Sequence, residues 1–274
     1  SAAVTNNGEL YVWGNNEQGM LGLNDRTHRS SPTQLPGTWS TAHNTLATHN
    51  SAMVAIKADG TLWSWGYNLG SQGRLGQGNN TEYSSPTQVG TDTTWATVAH
   101  NGTSGAAIKT NGTLWTWGYN EDSTGQSGQN NQTNYSSPKQ VGTDTTWSSI
   151  SGSGSGRFRA AIKTDGTLWT WGRNNYGQLG AGDSGNGGST TARSSPLQIG
   201  TNTTWWQVRV GNSVCYAVKT DGTLWSWGHG TSGAMGTNTP DDLDYSSPTQ
   251  VGTDTNWKTT EYGFGQSSSS TFIL

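Results

Sequence analysis

The sequence predicts an all-β protein, a β-propeller of four-stranded blades, most simply with five blades. Three observations lead to this prediction: one unit of about 50 residues recurs along the chain, each unit holds four short β-compatible runs, and the composition is rich in Gly and Trp. The 274 residues include 40 Gly and 15 Trp, while only 29% are hydrophobic. Large flat rings packed between many turns favour short strands over helices.

The repeat is marked by the string Gly-Thr-Leu-Trp-x-Trp-Gly, weaker in the first copy, followed by Ser-Ser-Pro and a lone tryptophan. Its leading glycines are spaced by 52, 52, 54 and 56 residues, and the pattern accounts for 14 of the 15 tryptophans. Such self-similarity is typical of propellers and other repeat architectures. We place the repeats at approximately 1–39, 40–95, 96–147, 148–205 and 206–257 of a single domain, 1–274. The leading glycines are Gly8, Gly60, Gly112, Gly166 and Gly222, and the lone tryptophans are Trp39, Trp95, Trp147, Trp205 and Trp257.

Within one unit the pattern predicts four short antiparallel strands. The run 106–109 leads into an Asn-Gly pair, a strong hairpin signal because both residues can adopt positive φ. The return strand 113–117 alternates, which places both of its tryptophan rings on one face. The runs 138–141 and 147–150 supply the other two strands. Such sheets cannot bury their faces alone, so we expect radial stacking, with the rings between neighbouring blades and glycines allowing close backbone approach.

Both chain ends supply β-compatible runs, at 1–5 and 271–274. We expect 258–274 to close the ring with the N-terminus, so that the two ends share the closing blade. The pattern then contains one strand more than five closed blades need. Either one of the end strands is redundant, or the chain is part of a larger six- or seven-bladed array.

The pattern Leu-Trp-x-Trp-Gly-x-Asn-x-x-Gly-Gln-Leu-Gly, clearest at 168–180, with Ser-Pro-x-Gln downstream, resembles the regulator of chromosome condensation repeat family. The resemblance covers essentially the whole chain and implies a β-propeller. The founding member of that family has seven blades, binds chromatin and exchanges nucleotide on a small GTPase. The units are nearly identical to one another, and in this respect the chain resembles bacterial and phage relatives of the family. A histidine that the family often carries ahead of the second strand is replaced here by Ala52, Ser104, Phe158 and Val214.

Charge and hydropathy bound the classes of partner. The formal net charge is −3 with no block of like charges, so the basic footprint that holds nucleic acid is missing. No apolar run approaches 18 residues, which argues against membrane insertion. Cys215 is the single cysteine and lies in an apolar run, where a thiol behaves as a small hydrophobe. Only 11% of the residues are charged, which favours an extracellular or virion-surface location, with the cytoplasm as the alternative.

The sequence predicts that the protein is not an enzyme and has no cofactor and no metal site. The string Gly-x-Ser-x-Gly occurs only at 152–156, in a low-complexity loop, and the five histidines form no motif. The acidic run 241–244 lacks the regular spacing of a calcium loop. The recurring Asp92, Asp144 and Asp254, with Asn202 in the fourth copy, are interpreted as Asx-type turns.

The functional clue lies where the copies differ. Directly after Trp-Gly stand Asn15, Tyr67, Tyr119, Arg173 and His229, with an asparagine one position later in the first four copies. A fixed frame that presents changing side chains is how a propeller face makes a binding surface, and Tyr, Arg and His are good interface anchors. The longest insertions, 181–193 and 237–244, are expected to form a rim on the same face.

These observations together predict a non-catalytic binding or structural propeller that presents this variable loop face to a protein or glycan partner. Its expected setting is a phage virion, as a tail or capsid-decoration protein, or a secreted adhesin. The oligomeric state is left open. Nucleotide exchange on a small GTPase, by analogy with the family, and a polysaccharide-active enzyme are the alternatives.

Overall fold

The computed structural model describes the chain except for residues 50, 69, 71, 122–123, 153–156, 186–190, 239–242, 258–263, 267–270 and 274. The described strands form antiparallel sheets in which chain neighbours pair. Sheet 1 holds β1 (Ala2–Val4), β2 (Leu10–Gly14) and β3 (Arg29–Leu35). Sheet 2 holds β4 (Leu46–Thr48), β5 (Ala52–Ile56), β6 (Leu62–Gly66) and β7 (Tyr83–Gln88), and sheet 3 holds β8 (Trp95–His100), β9 (Ser104–Lys109), β10 (Leu114–Gly118) and β11 (Tyr135–Gln140).

The remaining sheets repeat the same pattern. Sheet 4 holds β12 (Trp147–Gly152), β13 (Phe158–Lys163), β14 (Leu168–Gly172) and β15 (Arg193–Gln198). Sheet 5 holds β16 (Trp205–Val210), β17 (Val214–Lys219), β18 (Leu224–Gly228) and β19 (Tyr245–Gln250). Among the described residues, one 3-10 turn spans Thr231–Gly233, and β20 (Phe264–Gln266) pairs with β21 (Thr271–Ile273). The four predicted strands per unit are therefore confirmed in sheets 2–5, while sheet 1 has three.

The hairpins between the second and third strands are confirmed, but their turn differs from the expected one. In sheet 3 the N–H of Gly112 donates to the carbonyl of Lys109 at 2.8 Å, and only Gly112 of the Asn-Gly pair has a positive φ, +75°. The Asn111 side chain instead accepts hydrogen bonds from the N–H and the hydroxyl of Thr113, at 3.1 and 2.8 Å. This Asx contact fixes the turn, so one glycine suffices.

Packing between sheets follows the alternation of the third strand. In sheet 2, Trp65 is fully buried against Leu10 and Val12 of sheet 1. Leu62, on the opposite face, packs against Val98 and the other core residues contributed by sheet 3. Between sheets 1 and 2, 2 and 3, and 4 and 5, tryptophan rings of the later sheet thus lie against core residues of the earlier one, which confirms the expected place of the rings. The buried indole N–H groups donate to loop carbonyls of the preceding sheet: Trp65 to Met20, Trp117 to Arg74, Trp171 to Gln126 and Trp227 to Gln178.

Glycines allow the loop of one sheet to lie directly against the next sheet. Gly73 has φ +59°, and a Cβ added there would lie 2.3 Å from the Cα of Ser136 in β11. At Gly76, φ +73°, a Cβ would lie 3.0 Å from the indole of Trp117. A larger residue would have to adopt a positive φ and would require the facing strand or ring to shift.

Contacts divide the chain into two compact units, residues 1–119 with 133–145, and residues 120–132 with 146–274. In the first unit β1 pairs with β2, and in the second β21 pairs with β20. The strand predicted after Trp257 falls on 258–263, outside the described residues. The number of blades and the sharing of one blade by the two ends stay predictions.

Candidate binding face at the Trp-Gly loops

The five positions directly after Trp-Gly, called the Trp-Gly loop positions below, each begin the loop that follows the strand ending in Trp-Gly. In the last four copies, the main-chain N–H at this position donates to the carbonyl of the residue just before the preceding strand. The pairs are Tyr67 with Ser51 (2.7 Å), Tyr119 with Thr103 (3.0 Å), Arg173 with Arg157 (3.0 Å) and His229 with Ser213 (2.9 Å). Because the backbone makes this bond, the side chain at the position is free to vary.

In the first copy Asn15 is exposed, and its side-chain oxygen accepts from the N–H of Glu17 at 3.2 Å. The side chains of Tyr67, Tyr119, Arg173 and His229 are half-buried. All five therefore keep some exposed surface, and their role in binding stays a prediction.

The asparagine one position later has a different role, because it is fully buried in all four copies that carry it. In sheet 4 the Asn174 side chain donates to the carbonyl of Asp183 at 3.1 Å and accepts from the N–H of Leu179 at 3.0 Å. The other three asparagines make equivalent hydrogen bonds across their own loops. This buried asparagine, called the loop staple below, therefore holds each loop together next to the variable position. The equivalents are Asn16 with Leu21 and Asp25, Asn68 with Leu75 and Asn79, and Asn120 with Ser127 and Asn131.

The fifth copy has Gly230 in place of the asparagine. A Cβ added at Gly230 would lie 2.1 Å from the carbonyl oxygen of Leu243, so this loop is packed too closely for a side chain there. The staple is supplied by Asp244, which accepts from the N–H of Gly230 at 3.1 Å and contacts Nδ1 of His229 at 2.7 Å. His229 is thereby fixed in orientation, unlike a solvated surface histidine.

Two further residues of the face were missed by the sequence search. The guanidinium of Arg74 lies over the ring of Tyr67 at 4.6 Å, and it donates to the Gly102 carbonyl at 3.0 Å and to Gln72 at 2.7 Å. In the other unit, the ring of Tyr176 stacks on His229 with centroids 4.1 Å apart. Both missed residues also lie at loop positions that differ between copies, so the criterion that selected the Trp-Gly loop positions would have found them.

Burial affects the electrostatics around Arg74. Desolvation lowers the pKa of the Arg74 guanidinium from its usual value, and the charges of Tyr67 and Glu82 partly oppose this change. Burial and the nearby Arg74 also lower the pKa of His49. The Arg74 side chain is nearly buried and is held over the Tyr67 ring by its hydrogen bonds to Gly102 and Gln72.

The two long loops are described only in part. Arg193 forms an ion pair with Asp183 at 2.6 Å at the base of the first loop. Residues 186–190 of that loop and 239–242 of the second lie outside the described residues, and 239–242 includes half of the acidic run 241–244. The predicted rim stays a prediction.

In the part of the chain that the structure describes, no three His, Cys, Asp or Glu side chains are grouped so that they could hold a metal ion. No helix in that part has the length and apolarity needed to cross a membrane. Cys215 is fully buried, and burial raises the pKa of its thiol, as expected for a packing residue.

Comparisons with known proteins agree with this architecture. The model of the regulator of chromosome condensation (RCC1) repeat matches residues 7–43, 59–104, 165–218 and 221–269. The RCC1 domain-containing protein RUG3, mitochondrial, of Arabidopsis thaliana is 30% identical over 86% of the chain and 53% of its own length. The ultraviolet-B receptor UVR8 of the same plant is 29% identical over 85% and 52%. The chain thus spans about half the length of these relatives.

Solved structures support the fold. Yeast RCC1 (Prp20), in its complex with Kap60, has a TM-score of 0.75 at 22% identity, covering 92% of this chain and 59% of that one. Human WBSCR16 has a TM-score of 0.74 at 21% identity, covering 92% and 64%. The predicted fold class, a β-propeller built from RCC1 repeats, is confirmed.

Proposed function

Because the chain belongs to the RCC1 repeat family of β-propellers, we propose that it is a non-catalytic recognition module that binds a protein partner through the Trp-Gly loop positions. The observation that carries the proposal is the separation of frame from side chain at these positions. The main-chain hydrogen bond of the loop position recurs in the last four copies, and the buried asparagine that follows it recurs in the first four. The half-buried side chain between them changes from Tyr to Arg to His. A repeated scaffold that varies only in what it presents is suited to recognition.

The chemistry of the face supports a protein partner over a glycan. Tyrosine and arginine are enriched where proteins meet, because they combine a large apolar surface with a polar end. Tyr67 and His229 are each held by a second planar group, Arg74 and Tyr176, so little conformational entropy is lost when they are covered. Two solved structures of one protein, yeast RCC1 (Prp20), are described as bound to Kap60 and as binding Gsp1p and histones, which is consistent with this use of the fold.

Activities differ among the relatives. They include an ultraviolet-B receptor and the E3 ubiquitin-protein ligase HERC2 of Homo sapiens, which is 27% identical over 84% of this chain but only 5% of its own length. A shared fold does not transfer an activity. Nucleotide exchange therefore has no support beyond the family resemblance.

The setting in which the partner is met is also a proposal. The low fraction of charged residues, 11%, supports presentation outside a cell or on a virus particle. One relative carries a mitochondrial name. Immunodetection in culture medium, isolated particles and cell lysate separates these settings. Recovery in lysate alone would reject presentation outside a cell or on a virus particle.

The binding proposal is tested by affinity capture from an extract of the source organism, quantified by mass spectrometry. The variant Tyr67→Ala with His229→Ala removes one anchor in each unit. The matched control, Thr110→Ala with Thr164→Ala, changes exposed side chains at the hairpins of sheets 3 and 4, away from the Trp-Gly loop positions. We expect the protein captured by the wild type to fall at least ~10-fold with the first variant, since an anchor contributes about 2 kcal/mol or more, and to persist with the control.

Equal capture by both variants would reject the Trp-Gly loop positions as the binding face. A glycan array supplies the competing result. Saturable binding to a sugar that the first variant loses and the control retains would replace the protein partner by a glycan.

A further inference from the structure

A lysine recurs at the end of the second strand in sheets 2–5, and its ammonium group lies against two tryptophan rings. In sheet 3, Nζ of Lys109 lies 4.0 Å from the ring centre of Trp115 and 4.7 Å from that of Trp95. The carboxylate of Asp92 completes this arrangement with an ion pair of 2.8 Å to the same ammonium. The Asx-turn interpretation of Asp92 did not include this cross-strand partner.

Sheet 5 repeats the arrangement without the carboxylate. Nζ of Lys219 lies 3.9 Å from the ring of Trp225 and 4.8 Å from that of Trp205, close to the distances in sheet 3. The residue equivalent to Asp92 is Asn202, which is neutral. The backbone register is the same, because the residue after each lysine donates to the residue before each lone tryptophan at 2.8 Å in both sheets.

The ammonium of Lys219 is thus left without its counter-charge. Among the described residues, no carboxylate oxygen lies within 4.0 Å of it. The carboxylate of Asp221 acts on this ammonium electrostatically, but it accepts its hydrogen bonds from the N–H and hydroxyl of Thr223, at 3.0 and 2.7 Å. The Lys219 residue is only 8% exposed, and desolvation lowers its pKa while Asp221 partly opposes this. A nearly buried cation that has ring contacts but no counter-charge is less favourable than one that has both.

Lys219 also lines an open groove, which we call the Lys219 groove. It has a volume of about 490 Å³ and is bordered by Trp205, Trp225 and Asn202, with Gln198 and Pro248 on its sides. A ligand can therefore reach the place that a carboxylate fills in sheet 3.

We propose that the Lys219 groove binds an aspartate or glutamate side chain in an acidic segment of a partner protein. The ion pair of Asp92 with Lys109 shows that a lysine held between two tryptophan rings, an arrangement called the cage below, accepts a carboxylate. A hydrogen bond between two charged groups is also stronger than one between neutral groups. The site uses none of the Trp-Gly loop positions. A neutral sugar would bring no negative charge to pair with Lys219. The ammonium of Lys219 also covers the ring of Trp225, on which a sugar would otherwise stack.

The test uses two short peptides with blocked termini. One is Gly-Thr-Asp-Thr-Thr, the sequence of 90–94, and the other is Gly-Thr-Asn-Thr-Thr, the sequence of 200–204. Binding to the whole protein is measured by NMR titration at low ionic strength, where charge pairs are least screened. We expect saturable binding of the Asp peptide and at least ~10-fold weaker binding of the Asn peptide. Inorganic phosphate serves as the competing anion.

Three variants locate the binding. Lys219→Met should weaken the Asp peptide ~10-fold, and Asn202→Asp should do the same by filling the cage from within. Lys109→Met, which removes a cation already paired with Asp92, should leave the affinity unchanged. Circular dichroism checks folding, and if Lys219→Met does not fold, Asn202→Asp makes the comparison with the cage intact.

Equal affinity for the Asp and Asn peptides, no saturable binding of the Asp peptide, or unchanged affinity in Asn202→Asp would each overturn the proposal. Phosphate binding that displaces the peptide from Lys219 at lower concentration would replace the carboxylate by a phosphate ligand. The variant Tyr67→Ala with His229→Ala should bind the Asp peptide as the wild type does, so failure of this site is distinguishable from failure of the Trp-Gly loop positions.

Discussion

Replacing Asn174 by alanine should release the loop that follows the third strand of sheet 4. Asn174 is fully buried, and its removal leaves the N–H of Leu179 without the acceptor it has at 3.0 Å. A buried donor without a partner costs about 1–3 kcal/mol. The carbonyl and carboxylate of Asp183 also lose a donor, at 3.1 and 2.8 Å, but Asp183 is partly exposed and water can replace that donor. We expect a total loss of about 2–3 kcal/mol.

Two measurements separate loosening of the loop from loss of the whole fold. Hydrogen exchange should show the amide of Leu179 losing protection by a factor of ~30–100, since each 1.4 kcal/mol is tenfold. The Tm should fall by several degrees, because 1 kcal/mol corresponds to about 2–4 °C in a domain of this size. The control is Asn15→Ala in sheet 1, an exposed asparagine whose loss should cost less than about 0.5 kcal/mol.

The isosteric change Asn174→Asp sharpens this test. Its remaining oxygen can still accept from Leu179, but a carboxylate would then stand where the amide donates to Asp183 at 2.8 Å. The protein should therefore be destabilised at neutral pH and recover when acid protonates one of the two carboxylates. If neither variant differs from Asn15→Ala in exchange or Tm, the staple does not hold the loop and the argument for a fixed frame is wrong.

Three further changes test the packing and the charges. Gly76→Ala and Gly90→Ala both place alanine at positive φ, but only the first meets a tryptophan ring, at 3.0 Å, so thermal denaturation should show it at least ~1 kcal/mol less stable than the second. Asn202→Asp should restore the missing ion pair and raise stability by about 0.5–1 kcal/mol, a gain that shrinks in high salt; a loss of stability would contradict the comparison with sheet 3. His49 has a folded-state pKa below its usual 6.5, so stability should fall as pH decreases below 6.5, and His49→Gln should flatten that part of the profile measured by urea denaturation.

The sequence was sufficient to predict the scaffold because its signals are local and repeated. The strand 113–117 alternates over five residues, and the four remaining copies show the same alternation. A wrong assignment in one copy would therefore conflict with the others. The turn at Asn111 was predicted as a hairpin but with the wrong geometry. Sequence gives the residue types, while the Asx contact to Thr113 that selects the turn depends on side-chain orientation.

The candidate face could be predicted only in part. Tyr67 and His229 were found because they differ between aligned copies, but Arg74 and Tyr176, which hold them, come from later in the loops. Both positions also differ between copies and could have been found in the same way, but which side chain each one contacts depends on how the loop folds back. The pairing of Asp92 with Lys109 is also long-range, 17 residues apart and across two strands, so it needed the register of β8 against β9.

Differences between copies have two distinct energetic meanings in this chain. At the Trp-Gly loop positions a change of side chain leaves the frame intact, because the backbone bond and the buried asparagine maintain it. At Asn202 the change leaves a nearly buried ammonium that contacts two tryptophan rings but has no carboxylate within 4.0 Å among the described residues, so the rings alone offset its desolvation. Natural proteins retain such local conflicts mainly at functional sites. The uncompensated lysine is therefore a stronger indication of a ligand than any single variable loop residue, since it has a cost that a bound carboxylate would remove.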